Sequence, residues 1–224
     1  MKILALETST EFCSIALSIN EHIHDKEILA GNRHSEMLLP MIQELLTEVG
    51  LTLHQLDGIA FGAGPGSFTG LRIACGVAQG LAYALDLPVV GINTLEAAAQ
   101  SVKAQKIIVA LDARMGEIYH AAYDKATDQS WQIISPPTLC LPQHAPLCDG
   151  KEWQGCGSGF DLYHEILSTR YGNNLQTIYY AIRPRAKEIA QLALLQFCNG
   201  QTTDATKASP IYIRNKVALK ENER

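Results

Sequence analysis

The apolar positions change their period several times along the chain, and each change marks an element. Residues from Lys2 to Leu6 form a continuous apolar run with β-branching, and a second run extends from Cys13 to Ile19. The polar stretch Glu7-Thr8-Ser9-Thr10-Glu11 between them predicts a hairpin. Glu27 to Ala30 is expected to add a third strand. From His34 the period switches to three and four residues, with Met37, Leu38, Met41, Ile42, Leu45, Leu46 and Val49 on one stripe, Ser35 a candidate cap and Gly50 a stop. Pro40 fits only a first turn, so this helix is expected to begin near Leu38 or to kink. Leu56 to Phe61 reads as a buried strand that enters the loop Gly62-Ala-Gly-Pro-Gly-Ser-Phe-Thr-Gly70. A helix from Leu71 to Leu85, a strand from Leu87 to Ile92 and a helix from Thr94 to Val102 follow. Strands alternating with helices predict an α/β architecture.

The second half opens as the first does. Ile107-Ile-Val-Ala-Leu-Asp112, a turn, and Glu117-Ile-Tyr-His-Ala-Ala-Tyr123 repeat the pattern of Lys2 to Leu17, and both first strands end in a carboxylate, Glu7 and Asp112, about 105 residues apart. Two such halves predict a duplicated, two-lobe protein with mixed sheets and flanking helices. The lobes are expected to span 1–103 and 104–224, with the C-terminal segment packing back on the first. Trp131 to Cys148, punctuated by Pro136, Pro137, Pro142 and Pro146, reads as loop with short extended pieces. Gln154 to Gly159 is a strand-to-turn segment, Phe160 to Arg170 a helix and Thr177 to Tyr180 a strand. A helix then runs from Pro184 to Cys198, stopped by Gly200, before Pro210-Ile-Tyr-Ile-Arg214 and a charged terminus.

Composition narrows the function classes. The 224 residues are 47% hydrophobic and 18% charged, which is enough for a core and excludes disorder. The net charge of −5 argues against binding nucleic acid unaided, because such proteins replace condensed counterions with a basic excess. No run approaches a membrane span, and the N-terminal apolar stretch stops at Glu7, so a cytoplasmic protein without a membrane partner is expected. The six cysteines contain no C-x-x-C pair and read as small buried hydrophobes.

Few residues carry chemistry. The glycine loop satisfies neither G-x-x-x-x-G-K-[ST] nor G-x-G-x-x-G, because Thr69 stands where the third glycine is needed. Gly64, Gly66, Ser67, Thr69 and Gly70 are therefore either a tightly packed strand-to-helix turn or a phosphate contact. Glu7, Thr8 and Asp112 at the strand ends are candidates for a vestigial nucleotide site, although Asp112, Arg114 and Glu117 read more simply as a local ion pair. The histidines show no ligand spacing, no metal site is expected, and no Ser/His/Asp or Cys/His triad can be assigned. Two helices display unusually wide apolar faces: Leu38, Leu39, Met41, Ile42, Leu45 and Leu46 on the first, and Ala74, Val77, Ala78 and Leu81 with Gly76 and Gly80 on the second. Either a partner helix docks there or the domain's own layers cover them.

Ile3-Leu-Ala-Leu-Glu-Thr-Ser-Thr10, Gly62 to Arg72, Gly91-Ile-Asn-Thr-Leu-Glu96, Asp112-Ala-Arg-Met-Gly-Glu-Ile-Tyr119 and Pro210 to Arg214 together resemble the TsaB (YeaZ) family, along the whole chain. The resemblance implies the fold of the actin, sugar-kinase and heat-shock ATPase superfamily. It implies a non-catalytic subunit that pairs with the TsaD-type paralogue for threonylcarbamoylation of adenosine next to the tRNA anticodon. The histidines of that paralogue's H-x-x-x-H metal site correspond here to Thr94 and Ala98, which cannot make that site. Also implied are docking of the paralogue on the two sticky helices, self-pairing through the same face in its absence, and a TsaE-type ATPase near the junction. Contact with tRNA would come only through the complex. No resident cofactor is expected, with ATP or ADP at the subunit interface as the exception. The rival is a small ATP-binding phosphotransferase or ATPase using Glu7, Asp112 and the glycine loop; for a peptidase there is no triad.

Overall fold

The structure, a computed structural model, describes residues 1–20, 22–127 and 130–214. The first sheet takes β1 (Lys2–Glu7), β2 (Phe12–Ile19), β3 (His22–Leu29), β4 (Gly58–Gly64) and β5 (Val89–Asn93), in the order β3-β2-β1-β4-β5. The second takes β6 (Lys106–Asp112), β7 (Ile118–Lys125), β8 (Trp131–Cys140), β9 (Trp153–Cys156) and β10 (Leu175–Tyr179), in the order β10-β9-β6-β7-β8. Each sheet is centred on the strand that opens its half, with two antiparallel strands on one side and two parallel strands on the other. The hairpin registers correspond as well, with Glu7 opposite Ser14 and Asp112 opposite Ile118.

Six helices cover these sheets: α1 (His34–Glu48), α2 (Phe68–Leu85), α3 (Thr94–Gln100), α4 (Ser158–Leu162), α5 (His164–Tyr171) and α6 (Ala186–Cys198). Side chains alternate across a strand, so β1 offers Leu4 and Leu6 to α1 and α2 and offers Ile3 and Ala5 to α6. The central strand of the second sheet does the same, turning Ile107 and Val109 toward α3 and Ile108 and Ala110 toward the Phe160 and Leu167 side chains of α4 and α5. Helices α3 and α6 thus lie between the sheets and pack on each other. Chain order and lobe membership part company after Arg185, because α6 covers β1, β2 and β4 of the first sheet.

Several elements differ from expectation. Helix α1 begins at His34 behind Arg33, which makes no side-chain cap, and it runs through Pro40. Pro40 lies on the exposed side with Glu36, whose carbonyl loses its helical partner where solvent can reach it. β3 begins earlier than expected, at His22. Trp131 to Cys140 is a ten-residue strand rather than loop. It is a sheet edge, where one of the adjacent Pro136 and Pro137 faces away from the ladder, and the register shift between His120 and Ala122 takes up the other. The single helix expected at 160–170 is broken at Tyr163 into α4 and α5. The charged terminus beyond Arg214 lies outside the described residues. Among the described residues no helix is long and apolar enough to cross a membrane.

Candidate functional site

The two carboxylates that end β1 and β6 meet different surroundings. Glu7 is buried against Gly62 and Ile189, beneath α6. One carboxylate oxygen accepts the Ser9 N–H, the other has no partner, and burial pushes the carboxyl up to about 7. Asp112 lies at the open end of its turn, where one oxygen accepts the Arg114 N–H at 3.0 Å and the other pairs with the Arg114 guanidinium at 3.3 Å. No hydrogen bond or ion pair joins Glu7 to Asp112 among the described residues. Glu7, Thr8 and Asp112, the candidates for a vestigial nucleotide site, are each engaged by neighbouring residues of the chain itself.

The glycine loop is filled by the β1–β2 turn. A Cβ on Gly62 would lie 1.8 Å from a Glu7 carboxylate oxygen, and one on Gly70 1.9 Å from the Thr8 carbonyl oxygen. Gly66 faces Ser9 in the same way. The Thr8 hydroxyl donates to the Gly70 carbonyl at 2.7 Å, and the Ser67 N–H donates to the Ser9 carbonyl at 2.8 Å. Ser67 caps α2, its hydroxyl accepting the Gly70 N–H at 3.3 Å, while Thr69 is exposed on the first turn. Of the two readings left open for Gly64, Gly66, Ser67, Thr69 and Gly70, close packing is the one these contacts form. At the position of the paralogue's metal ligands, Thr94 donates to the Pro65 carbonyl and Ala98 is buried.

The segment Ala208 to Arg214 crosses between the lobes, from α2 to the β6–β7 turn. The Ile211 N–H donates to the Ala63 carbonyl at 2.7 Å, and the Ile211 carbonyl lies over Gly64. What remains is a cavity of about 50 Å³ between Pro65, Phe68, Leu71, Tyr119, Tyr212 and Arg214. Ligand pockets are usually several hundred Å³ or more, on the order of 300 at the low end.

The sticky helices are resolved face by face. Leu38, Met41, Ile42, Leu45 and Leu46 of α1, and Ala74 and Ala78 of α2, are buried in the first lobe's own core, because β1 and β2 stand directly beneath them. They are not available to a partner, and this corrects their assignment as contact residues. A charge placed at Leu45 or Ala78 would therefore disturb the fold itself. Leu39 is 51% exposed, while Val77 and Leu81 are half-buried. The outer surface of α2 instead presents Arg72, Gly76, Gly80, Tyr83 and Ala84, bordered by Ile73, Val77 and Leu81. A Cβ on Gly76 or Gly80 would meet nothing within 4 Å. Tyr83, at 74% exposure, is a residue that sequence reasoning passed over, and Ile211 to Arg214, quoted there only as part of a motif, was given no place in the fold. A large aromatic seven residues after Gly76, on the same stripe, was the available signal for the first. For the second there was no local signal.

Duplicated five-stranded sheets with two helices held between them make this a two-lobe α/β protein with mixed sheets. The family model described as "TsaD: tRNA N6-adenosine threonylcarbamoyltransferase" matches residues 21–147. The tRNA threonylcarbamoyladenosine biosynthesis protein TsaB of Escherichia coli K12 is 35% identical, the alignment covering 99% of this chain and 98% of that one. The TsaB of Haemophilus influenzae is 37% identical, over 99% and 97%. The solved structure of YeaZ from Pseudomonas aeruginosa superposes with a TM-score of 0.86 at 34% identity, over 94% of this chain and 99% of that one. The chain belongs to the TsaB (YeaZ) family of tRNA threonylcarbamoyladenosine biosynthesis proteins.

Proposed function

We propose that this protein serves tRNA threonylcarbamoyladenosine biosynthesis as a non-catalytic subunit that seats a TsaD-type threonylcarbamoyltransferase on the outer face of α2. One observation carries the reading. Gly76 and Gly80 stand in the interior of an 18-residue helix, and among the described residues nothing comes within 4 Å of a Cβ placed on either. Each costs the helix roughly 1 kcal/mol relative to alanine. No turn, positive φ or internal neighbour offsets that cost, whereas a second helix can approach a glycine face more closely than any other. Ile73, Val77 and Tyr83 supply apolar surface along the same stripe. The filled cleft favours the docking role over the phosphotransferase, since Glu7 is turned into the core and the glycine loop is occupied by the chain itself.

On this reading the same face joins two copies of the chain when the partner is absent. A TsaE-type ATPase binds near the junction, and ATP or ADP would be held there rather than within this subunit. With a net charge of −5, the chain meets tRNA through the assembly, in the cytoplasm. The test is light scattering after size exclusion, for the protein alone and with the TsaD-type partner from the same organism. A mixed species should form, and Gly76→Leu with Gly80→Leu should abolish it while circular dichroism stays unchanged, because the added side chains enter open space. A mixed species that survives the double substitution refutes the α2 face as the seat.

A further inference from the structure

We infer that the segment Ala208 to Arg214 is a strap that couples the outer face of α2 to the β6–β7 turn of the second lobe. The inference rests on the docking reading for what occupies that face, but the strap itself is a matter of contacts within one chain.

Its first anchor is α2. The Gln79 side-chain amide donates to the Ala208 carbonyl at 2.8 Å. Arg72, one turn before Gly76 on the exposed stripe, donates through Nε to the Tyr212 hydroxyl at 3.1 Å. Its guanidinium lies 3.8 Å over the Phe68 ring, and that ring packs 5.4 Å from Tyr212. The second anchor is the first sheet, through the bond from the Ile211 N–H to the Ala63 carbonyl at the end of β4. The third is the other lobe. The Arg214 guanidinium pairs with Glu117 at 2.6 Å, donates to the Ala113 carbonyl at 3.0 Å and contacts the Met115 sulfur at 3.2 Å. Ala113, Met115 and Glu117 belong to the turn after Asp112, which equates with the Glu7–Ser9 turn of the first lobe. Arg72 and that turn therefore share one short strap as their common partner.

A helix laid along Gly76 and Gly80 arrives beside Arg72, and a carboxylate on it competes with Tyr212 for the guanidinium. Losing that bond unseats the strap at its α2 end, loosens the grip of Arg214 on the turn, and widens the cleft that the strap closes. Occupancy of the outer face thereby reaches the second lobe through a physically continuous path. Coupling of this kind is reciprocal.

The experiment uses the protein without its partner, at a dilution where light scattering shows it monomeric, so it can fail while docking succeeds and succeed while docking fails. Amide hydrogen exchange is followed at Ile211, as reporter of the strap, and at Ala113, whose N–H bonds the Glu117 carbonyl at 2.9 Å, as reporter of the turn. Arg72→Ala, an exposed change, should accelerate exchange at least tenfold at Ile211 and at least threefold at Ala113. Tyr212→Phe, which keeps the ring on Phe68 and removes only the hydroxyl, should produce a smaller acceleration at both amides. Parental exchange at Ala113 in Arg72→Ala overturns the inference, whether or not Ile211 responds.

Discussion

The two lobes are built on the same five-strand plan and differ in what they place around it. Between β3 and β4 the first lobe inserts the 15-residue helix α1; between β8 and β9 the second has only a single 3-10 turn at Pro142–His144. After β4 comes the 18-residue α2; after β9 comes α4, with five residues. The turns diverge too. In the first, glycines let the loop after β4 close down on Glu7, Thr8 and Ser9. In the second, Arg114, Met115 and Gly116 are all left-handed (φ 63°, 56° and 76°), Asp112 is paired with an exposed arginine, and the Ser158 hydroxyl accepts the Asp112 N–H. Duplication thus repeats the scaffold, while the helices laid on it differ, the long α1 and α2 on the first sheet and the shorter α4 and α5 on the second.

The largest effect that sharpens this contrast comes from the two sides of α1. Leu45→Ala should cost about 3 kcal/mol in urea unfolding, since it empties a fully enclosed site, whereas Leu39→Ala should stay within about 0.5 kcal/mol. Equal costs would mean that the inner and outer faces have been misassigned.

Next in size is pH. In the first lobe Glu7 is raised from 4.5 to about 7 by burial, so its contribution to stability is full below about 4.5 and is lost as pH rises through about 7. At roughly 1.4 kcal/mol per pH unit, that interval is worth about 3 kcal/mol. In the second lobe the sign reverses. His120, buried with Nε2 2.9 Å from the Tyr171 hydroxyl, is pushed down from 6.5 to about 4 by burial. It favours the folded state above about 6.5, and that support is lost as pH falls through about 4. Glu7→Gln should therefore raise stability at pH 8 relative to pH 5 by about 2 kcal/mol over the parent, measured by denaturant titration at each pH. A pH profile unchanged by the substitution would show that Glu7 is solvated.

Smaller still is the helix-glycine effect, where stability and binding should move in opposite directions. Gly76→Ala should raise stability by about 0.5–1 kcal/mol, a few degrees in Tm, while weakening partner docking at least tenfold. A variant that gains stability and binds as before would leave the glycine with no role. Asp112→Asn comes last, within about 1 kcal/mol, because the pair it breaks with Arg114 is exposed and the amide oxygen can still accept the Arg114 N–H.

What was legible followed from local periodicity and repetition. The two hairpins, α1, α2 and the duplicated strand ends announce themselves because a sheet face and a helix stripe each impose a period on nearby residues. β8 escaped because Pro136 and Pro137 argue against a strand unless the strand is known to be an edge, and edge position is a property of the whole sheet. The faces of α1 escaped for a similar reason: a stripe of Leu and Met shows that something covers it, without saying whether the cover is the chain's own sheet. Gly62, Gly66 and Gly70 read like Gly76 and Gly80, yet the first three are crowded by the β1–β2 turn and the last two face open space. The strap was invisible, since its bonds join Arg72 to Tyr212 and Ala63 to Ile211 across most of the chain.

The return of α6 to the first sheet bears on how the chain is made. Ile3, Ala5 and Ala16 leave the ribosome well before Ile189, Ala190 and Ala193, which cover them. The strands of the second sheet are complete at Tyr179, before α6 has been synthesised. The lobe that begins first is thus finished last, and until then one apolar side of its sheet is open to chaperones, to proteases and to other nascent chains.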